Sequence, residues 1–194
     1  MLLTLSQFTL LVFYIFIVGV ILAILEIQIE GRDGWAANLP AWKPDKNSRT
    51  AKITYALTRK DMTGYHLSLF TLLLFFFHLP FVWNWTWSLE QEIQVLAFFF
   101  VFAVIWDFLW FVLNPHYALR DFGPKAVWWH RAWLFKLPLD YWMGYLCAAL
   151  LYLPLIWKFG NIALMQLTIL LGLNCLLTAI TIIIYPHRNG KRSQ

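Results

Sequence analysis

Five long apolar runs decide what this chain can fold into. They cover approximately residues 5–29, 64–85, 91–113, 139–157 and 161–185. A helix rises about 1.5 Å per residue, so about 20 apolar residues cross the ~30 Å hydrocarbon core of a bilayer. Charged residues make up only 13% of the 194 residues, too few for a soluble domain of this size. The sequence therefore predicts an all-α integral membrane protein, a bundle of five transmembrane helices that forms a single domain over residues 1–194.

The basic residues predict how this bundle is oriented. Fourteen of the fifteen lysines and arginines lie in residues 30–63, in residues 114–138 or in the tail, and Lys158 is the exception. Because basic loops stay on the cytosolic side, these segments should be cytosolic, with the N-terminus outside and the C-terminus cytosolic. We expect the cytoplasmic (inner) membrane of a bacterium. Both loops carry tryptophans, so they should lie on the membrane surface, and residues 46–60 should form a short basic interfacial helix.

Composition also excludes several functional classes. The net charge of +5 belongs to loops beside lipid headgroups, so we expect membrane lipids as partners and no nucleic acid. Cys147 and Cys175 lie inside apolar runs without a Cys-x-x-Cys pair, which argues against thiol redox chemistry. The first apolar run is too long for a cleaved signal peptide and should be a retained span. No phosphate-binding glycine loop and no Gly-x-Ser-x-Gly elbow occurs.

Asp107 is the first candidate functional residue. It lies within the third apolar run, about two turns before its cytosolic end. A charge at that depth costs a few kcal/mol and is usually paired, protonated or functional. The structural alternative is a partner for Arg131 or for a tryptophan N–H. Asn114 follows seven residues later on the same helix face and should point to the same interior.

Two glutamates lie at the end of the first apolar run. Glu26 and Glu30 are four residues apart, so their carboxylates share one helix face. Such a pair can bind one metal ion or carry one proton relay. The alternative is that both acids point to water at a helix end.

Histidines lie near the same membrane face. His66 opens the second span, and His116 and His130 lie in the second cytosolic loop. Imidazoles and carboxylates together are the ligands of zinc, iron and manganese. The candidate ligands of a divalent transition metal are Asp107, Glu26, Glu30, His116 and His130, and the candidate catalytic groups are Asp107, Glu26 and His116. We expect Asp107 and Glu26 to converge with at least one of His116 and His130. No local metal motif such as His-x-x-x-His occurs, and each histidine alone is equally well explained as an interface residue.

The remaining histidines fit structural roles better. His78 lies deep in the second span beside Pro80 and should bond its own helix. A haem shared by His66 and His78 is disfavoured because twelve residues turn a helix about 120° off register. His187 is expected to be interfacial.

Three hypotheses remain open from the sequence. The first is a membrane-embedded, metal-dependent enzyme with a carboxylate and histidine site at the cytosolic face, acting on a lipid-soluble substrate. The second is a non-enzymatic membrane subunit or assembly factor whose buried acids and histidines are structural. The third is an electron-transfer subunit that uses His66 or His78. Bound metal favours the first, a Soret band favours the third, and neither favours the second.

Overall fold

The computed structural model of this chain describes residues 2–58, 60–84 and 86–185. Its regular elements are α1 (Leu5–Glu30), α2 (Arg49–Thr58), α3 (Gly64–Asn84), α4 (Leu89–Leu113), a 3-10 turn (Leu119–Asp121), β1 (Trp133–Leu134), β2 (Leu137–Pro138), α5 (Leu139–Phe159) and α6 (Asn161–Ile184). Among the described residues, five helices, all except α2, are long and apolar enough to span a membrane. The predicted all-helical chain with five helices able to cross a membrane is confirmed. The orientation of the termini stays a prediction.

The helix ends follow from local chemistry. α4 begins at Leu89, two residues before the predicted start, because the Ser88 hydroxyl accepts the Gln91 N–H as an N-cap. α5 continues through Pro154 and ends only at Gly160, whose φ is +59°. Proline inside a spanning helix is tolerated where neighbouring helices and side chains support the backbone.

α4 is the centre of the bundle. It packs against each of the other four spanning helices and has the largest buried share of the five. α5 approaches it closely at Gly144, where a Cβ atom would lie 2.5 Å from Val104 Cγ2. Small residues at such crossings let membrane helices pack backbone to backbone.

One end of the bundle is covered by the two predicted cytosolic loops. We call this the basic end, formed by residues 31–63 and 114–138. Hydrogen bonds join the two loops, since the Asn114 side chain donates to Gly31 O at 3.1 Å and the Trp128 indole donates to Asp33 O at 3.1 Å. α2 lies inside residues 46–60, where a short basic helix was expected. The loops therefore form a folded cap on the helix ends.

The opposite end is held by polar pairs between neighbouring helices. Lys158 forms an ion pair with Glu90. His78 meets the Leu74 carbonyl oxygen at 2.7 Å and Glu92 at 3.0 Å. The expected bond of His78 to its own helix is thus present, far from His66 at the basic end. The tail, with His187, Arg188, Lys191 and Arg192, lies outside the described residues, as does Arg59.

Candidate metal centre

The two glutamates at the end of α1 lie inside the protein. Glu26 is 6% exposed and Glu30 is 8% exposed. The Ala36 backbone N–H donates to Glu30 Oε1 at 2.6 Å, and the Tyr65 hydroxyl forms a hydrogen bond with Glu26. The alternative of two solvated acids at a helix end therefore does not describe this structure.

A left-handed turn after α1 builds one wall of this site. Gly34, Trp35 and Ala36 have φ angles of +63°, +47° and +49°. A side chain costs about 1–2 kcal/mol in this region, and such strain is typical of functional sites. At Gly34 a Cβ atom would also lie 2.8 Å from Trp110 and 3.0 Å from Trp129. The turn aims the Ala36 N–H at Glu30 and places the Trp35 ring on α3.

His66, in the first turn of α3, completes the group. It is 2% exposed, and its ring stacks on Trp35 with 3.9 Å between ring centroids. Its Nδ1 lies 2.9 Å from the Thr63 hydroxyl, which leaves Nε2 pointing to Glu30 Oε1 at 3.3 Å. Histidines that bind metals commonly hold the second ring nitrogen in such a hydrogen bond.

The three side chains have the spacing of metal ligands. Glu26, Glu30 and His66 each offer one ligand atom, and these atoms lie within 4.8 Å of one another. Two ligands at about 2.1 Å from one ion in tetrahedral geometry are about 3.4 Å apart, close to the 3.3 Å between Nε2 and Oε1. We call these three residues the Glu–Glu–His group. Three protein ligands leave a further position for water or substrate.

A second buried group surrounds His130, whose side chain is fully buried. Its Nε2 lies 2.9 Å from Asp107 Oδ2 and its Nδ1 lies 2.8 Å from Asp140 Oδ2. Lys60 Nζ lies 3.1 Å from Asp140 and 3.7 Å from Asp107. The Tyr141 hydroxyl donates to Asp107 at 2.5 Å. We call these five residues the His130 network.

The charge on His130 follows from its neighbours. Burial lowers the pKa of His130, but the negative charge of Asp107 and the hydrogen bonds to Asp107 and Asp140 outweigh it and raise the pKa overall. Both ring nitrogens lie against carboxylate oxygens, which accept hydrogen bonds, so this geometry favours the protonated ring that donates from both nitrogens. With Lys60 it balances the two aspartates.

The two groups adjoin, and together they contain more acidic than basic side chains. Trp35 lies between them, since His66 stacks on it and the Lys60 ammonium lies 4.5 Å from its ring centroid. Glu26 interacts electrostatically with both Asp107 and Lys60. The two groups contain four carboxylates, and the basic side chains among them are Lys60, His130 and His66. A divalent cation in the Glu–Glu–His group would reduce the repulsion between Glu26 and its acidic neighbours Glu30 and Asp107.

Four of the five predicted metal ligands lie in these two groups, and the fifth, His116, lies at the surface. Glu26 and Glu30 lie together, Asp107 contacts His130, and the two sets adjoin. Asp107 points to the protein interior, and its partners are not those expected, because Arg131 pairs with Asp61. His116 is exposed and lines a separate cavity of about 500 Å³ that also contains Arg32 and Arg120. Asn114 is fully buried.

His66 is the functional candidate that the sequence reasoning missed as a ligand. It was counted among the histidines that lie with carboxylates at this end of the spans, but the predicted ligand set took His116 and His130 instead. The order of the spans could have indicated this ligand. The second span begins at the membrane face where the first span ends, so His66 lies at the same end of the bundle as Glu30. Lys60 and Tyr65 precede His66 in the chain, and neither was singled out from the sequence as a site residue.

Comparison with protein-family models, with curated proteins and with solved structures finds no match to this chain. The fold and the site define it by class: an all-helical chain with five helices able to cross a membrane and a buried carboxylate–histidine group at one end.

Proposed function

We propose that this chain is a membrane-embedded, metal-dependent enzyme that binds one divalent transition metal between Glu26, Glu30 and His66. The observation that supports the proposal is the Glu–Glu–His group itself. Its ligand atoms are buried and within 4.8 Å of one another, and the surrounding acids outnumber the cations. Burying ionised carboxylates without a balancing cation is costly, and a metal ion removes that cost.

The donor atoms indicate which metal fits. One imidazole nitrogen and two carboxylate oxygens suit zinc, iron or manganese better than calcium, which takes six to eight oxygen ligands. Such a metal, when bound with an open position, would lower the pKa of a water molecule there from its bulk value to about 7. The chemistry proposed here is therefore activation of water, or of a substrate oxygen, by the metal.

The surroundings support a substrate that reaches the site from the lipid. The Glu–Glu–His group lies at the ends of α1 and α3, and both helices expose large apolar side chains along their length. A lipid-soluble substrate would therefore diffuse to the basic end within the bilayer. The His130 network, which joins the second loop to α4 and α5, would hold the cap over the site.

Elemental analysis of the purified protein tests this proposal. We expect about one zinc, iron or manganese per chain, and loss of that metal in the double variant Glu30→Gln/His66→Ala. The matched control is Glu92→Gln/His78→Ala, which removes the same residue types from the pair at the opposite end and should retain the metal. A wild-type protein that binds none of these metals, purified or after their addition, contradicts the proposal.

The non-enzymatic alternative has one observation in its favour. Every member of the His130 network is paired within the network, as in a structural clamp. If no metal binds and Glu30→Gln/His66→Ala simply unfolds the protein, this alternative replaces the enzyme. A haem role for His66 and His78 predicts a Soret band, which we do not expect.

A further inference from the structure

A cavity of about 660 Å³ opens between the first loop, α2 and the second loop of the basic end. Its volume is within the usual 300–1,000 Å³ of small-molecule sites. The charged side chains that line it are Lys43, Lys46, Lys52, Lys60, Asp61 and Arg131. Five basic groups thus surround the cavity and one acid opposes them.

Two of the five basic groups are fixed by partners. Arg131 donates to the Tyr55 hydroxyl at 2.8 Å and to Asp61 at 3.1 Å, and Lys60 belongs to the His130 network. For Lys43, Lys46 and Lys52, no carboxylate of the described residues lies within 4.0 Å. These three ammonium groups therefore give the cavity a positive field that a bound anion would neutralise.

Aromatic side chains also line the cavity. Trp35, Tyr55, Trp128 and Trp129 line it together with the lysines. Tryptophan and tyrosine beside basic residues are typical of the headgroup level of a membrane, where an apolar body meets a polar head. The cavity is therefore suited to a ligand that has an anionic group and an adjoining apolar part.

The cavity also adjoins the Glu–Glu–His group. Trp35 lines it and stacks on His66. Thr63 lines it and holds His66 Nδ1 at 2.9 Å. A ligand in the cavity thus touches the two side chains that orient the imidazole.

We propose that this cavity binds the phosphate group of an amphiphile, with the phosphate held by Lys43, Lys46 and Lys52 and the adjoining part of the molecule against the tryptophans. Lysine ammonium groups bind phosphate as point charges, and clusters of them attract anionic lipid headgroups at a membrane surface. This amphiphile would also be the substrate of the enzyme, and that step rests on the proposed metal-dependent function. The binding of a phosphate group in the cavity does not depend on that function.

Native mass spectrometry of the full chain in a nonionic detergent tests the proposal. Phosphatidic acid is titrated into the protein, with diacylglycerol of the same acyl chains as the matched lipid without phosphate. We expect saturable binding of one phosphatidic acid. Diacylglycerol should bind about 100-fold more weakly, because it lacks the phosphate with which three lysines each contribute about five-fold. The triple variant Lys43→Gln/Lys46→Gln/Lys52→Gln should then bind phosphatidic acid about 100-fold more weakly.

The control is Lys125→Gln/Lys136→Gln. Both lysines are exposed in the second loop, at the same end of the bundle, and neither lines the cavity. General attraction of a basic face for anionic lipid predicts that control and cavity variants weaken binding by the same factor per charge removed, and this result overturns the proposal. The single variant Lys52→Gln, at an exposed helix position, provides the same comparison should the triple variant fail to fold.

Glycerol phosphate distinguishes the two sources of a phosphate group. Competition with phosphatidic acid at millimolar concentration supports the cavity as a phosphate site and shows that it also admits a soluble ester. No competition supports it as a site for lipid phosphate. Metal content is measured on the same samples: lysine variants that lose lipid but keep metal separate this cavity from the metal centre. Intact lipid binding without any metal refutes the proposed function alone.

Discussion

Replacing Asp107 with asparagine tests the central structural claim at the basic end. The change keeps the size of the side chain but removes the negative charge that His130, Tyr141 and Lys60 all contact. His130 and Lys60 would then both pair with Asp140, the one aspartate left in the network. The charge is lost in a mostly buried position, so its partners cannot turn to water.

The size of the effect follows from burial. Removing one partner of a buried ion pair costs about 3–5 kcal/mol. The Asp107 side chain is 22% exposed and that of Asp140 is 37% exposed, so water screens part of the charge and His130 has the option of releasing its proton. We therefore expect a loss of about 2–3 kcal/mol. For a chain of this length that lowers the apparent melting temperature by about 4–12 °C.

Thermal unfolding in detergent at neutral pH measures this loss, with Asp61→Asn as the matched control. Asp61 also forms an ion pair in this cap, but its side chain is 65% exposed and that of its partner Arg131 is 53% exposed. Exposed pairs contribute about 1 kcal/mol or less, so the control should lower the melting temperature by only about 2–3 °C. Equal effects of the two variants would refute a buried charge network around Asp107.

Three further predictions follow from other parts of the chain. The pKa of His130 is raised above its usual 6.5, so its contribution to stability is complete below that pH and is lost as the pH rises through the higher folded value. Thermal melts between about pH 6 and 9 should show falling stability, and His130→Gln should flatten that slope. Gly34→Ala should destabilise the protein by about 2 kcal/mol or more and reduce bound metal, whereas Gly172→Ala, with open space at its Cβ, should change neither. In a chain with both native cysteines replaced by serine, a cysteine at Ser48 should be shielded from impermeant reagents in intact cells and one at Ser88 should label; labelling at Ser48 contradicts the predicted orientation.

The spanning helices were predictable because a bilayer demands one long apolar run for each crossing. α1, α3, α5 and α6 begin at the predicted residues. Only α4 begins elsewhere, since its first turn is polar and depends on the Ser88 cap.

The candidate site was predictable only in part. Helical periodicity places Glu26 and Glu30 on one face, but it does not say which histidine approaches that face. His66 does so because of the relative position of α1 and α3 and because the left-handed turn at Trp35 orients its ring, and neither leaves a local pattern in the sequence. At least one of His116 and His130 was expected near Asp107, and His130 is the one that contacts it. The backbone N–H of His116 donates to the Asn114 side chain, and the His116 side chain is exposed.

The position of Lys60 has a consequence for the two proposed ligands. Lys60 belongs to the His130 network, lines the basic cavity and interacts electrostatically with Glu26. A phosphate group in the cavity would offset part of the positive field that Lys60 exerts on the buried acids, which would then attract a divalent cation more strongly. Because coupling between two binding equilibria is reciprocal, bound metal would tighten phosphate binding by the same factor. The excess of acids inside the cap and of lysines around it is therefore the arrangement that favours simultaneous binding of a cation and an anionic headgroup.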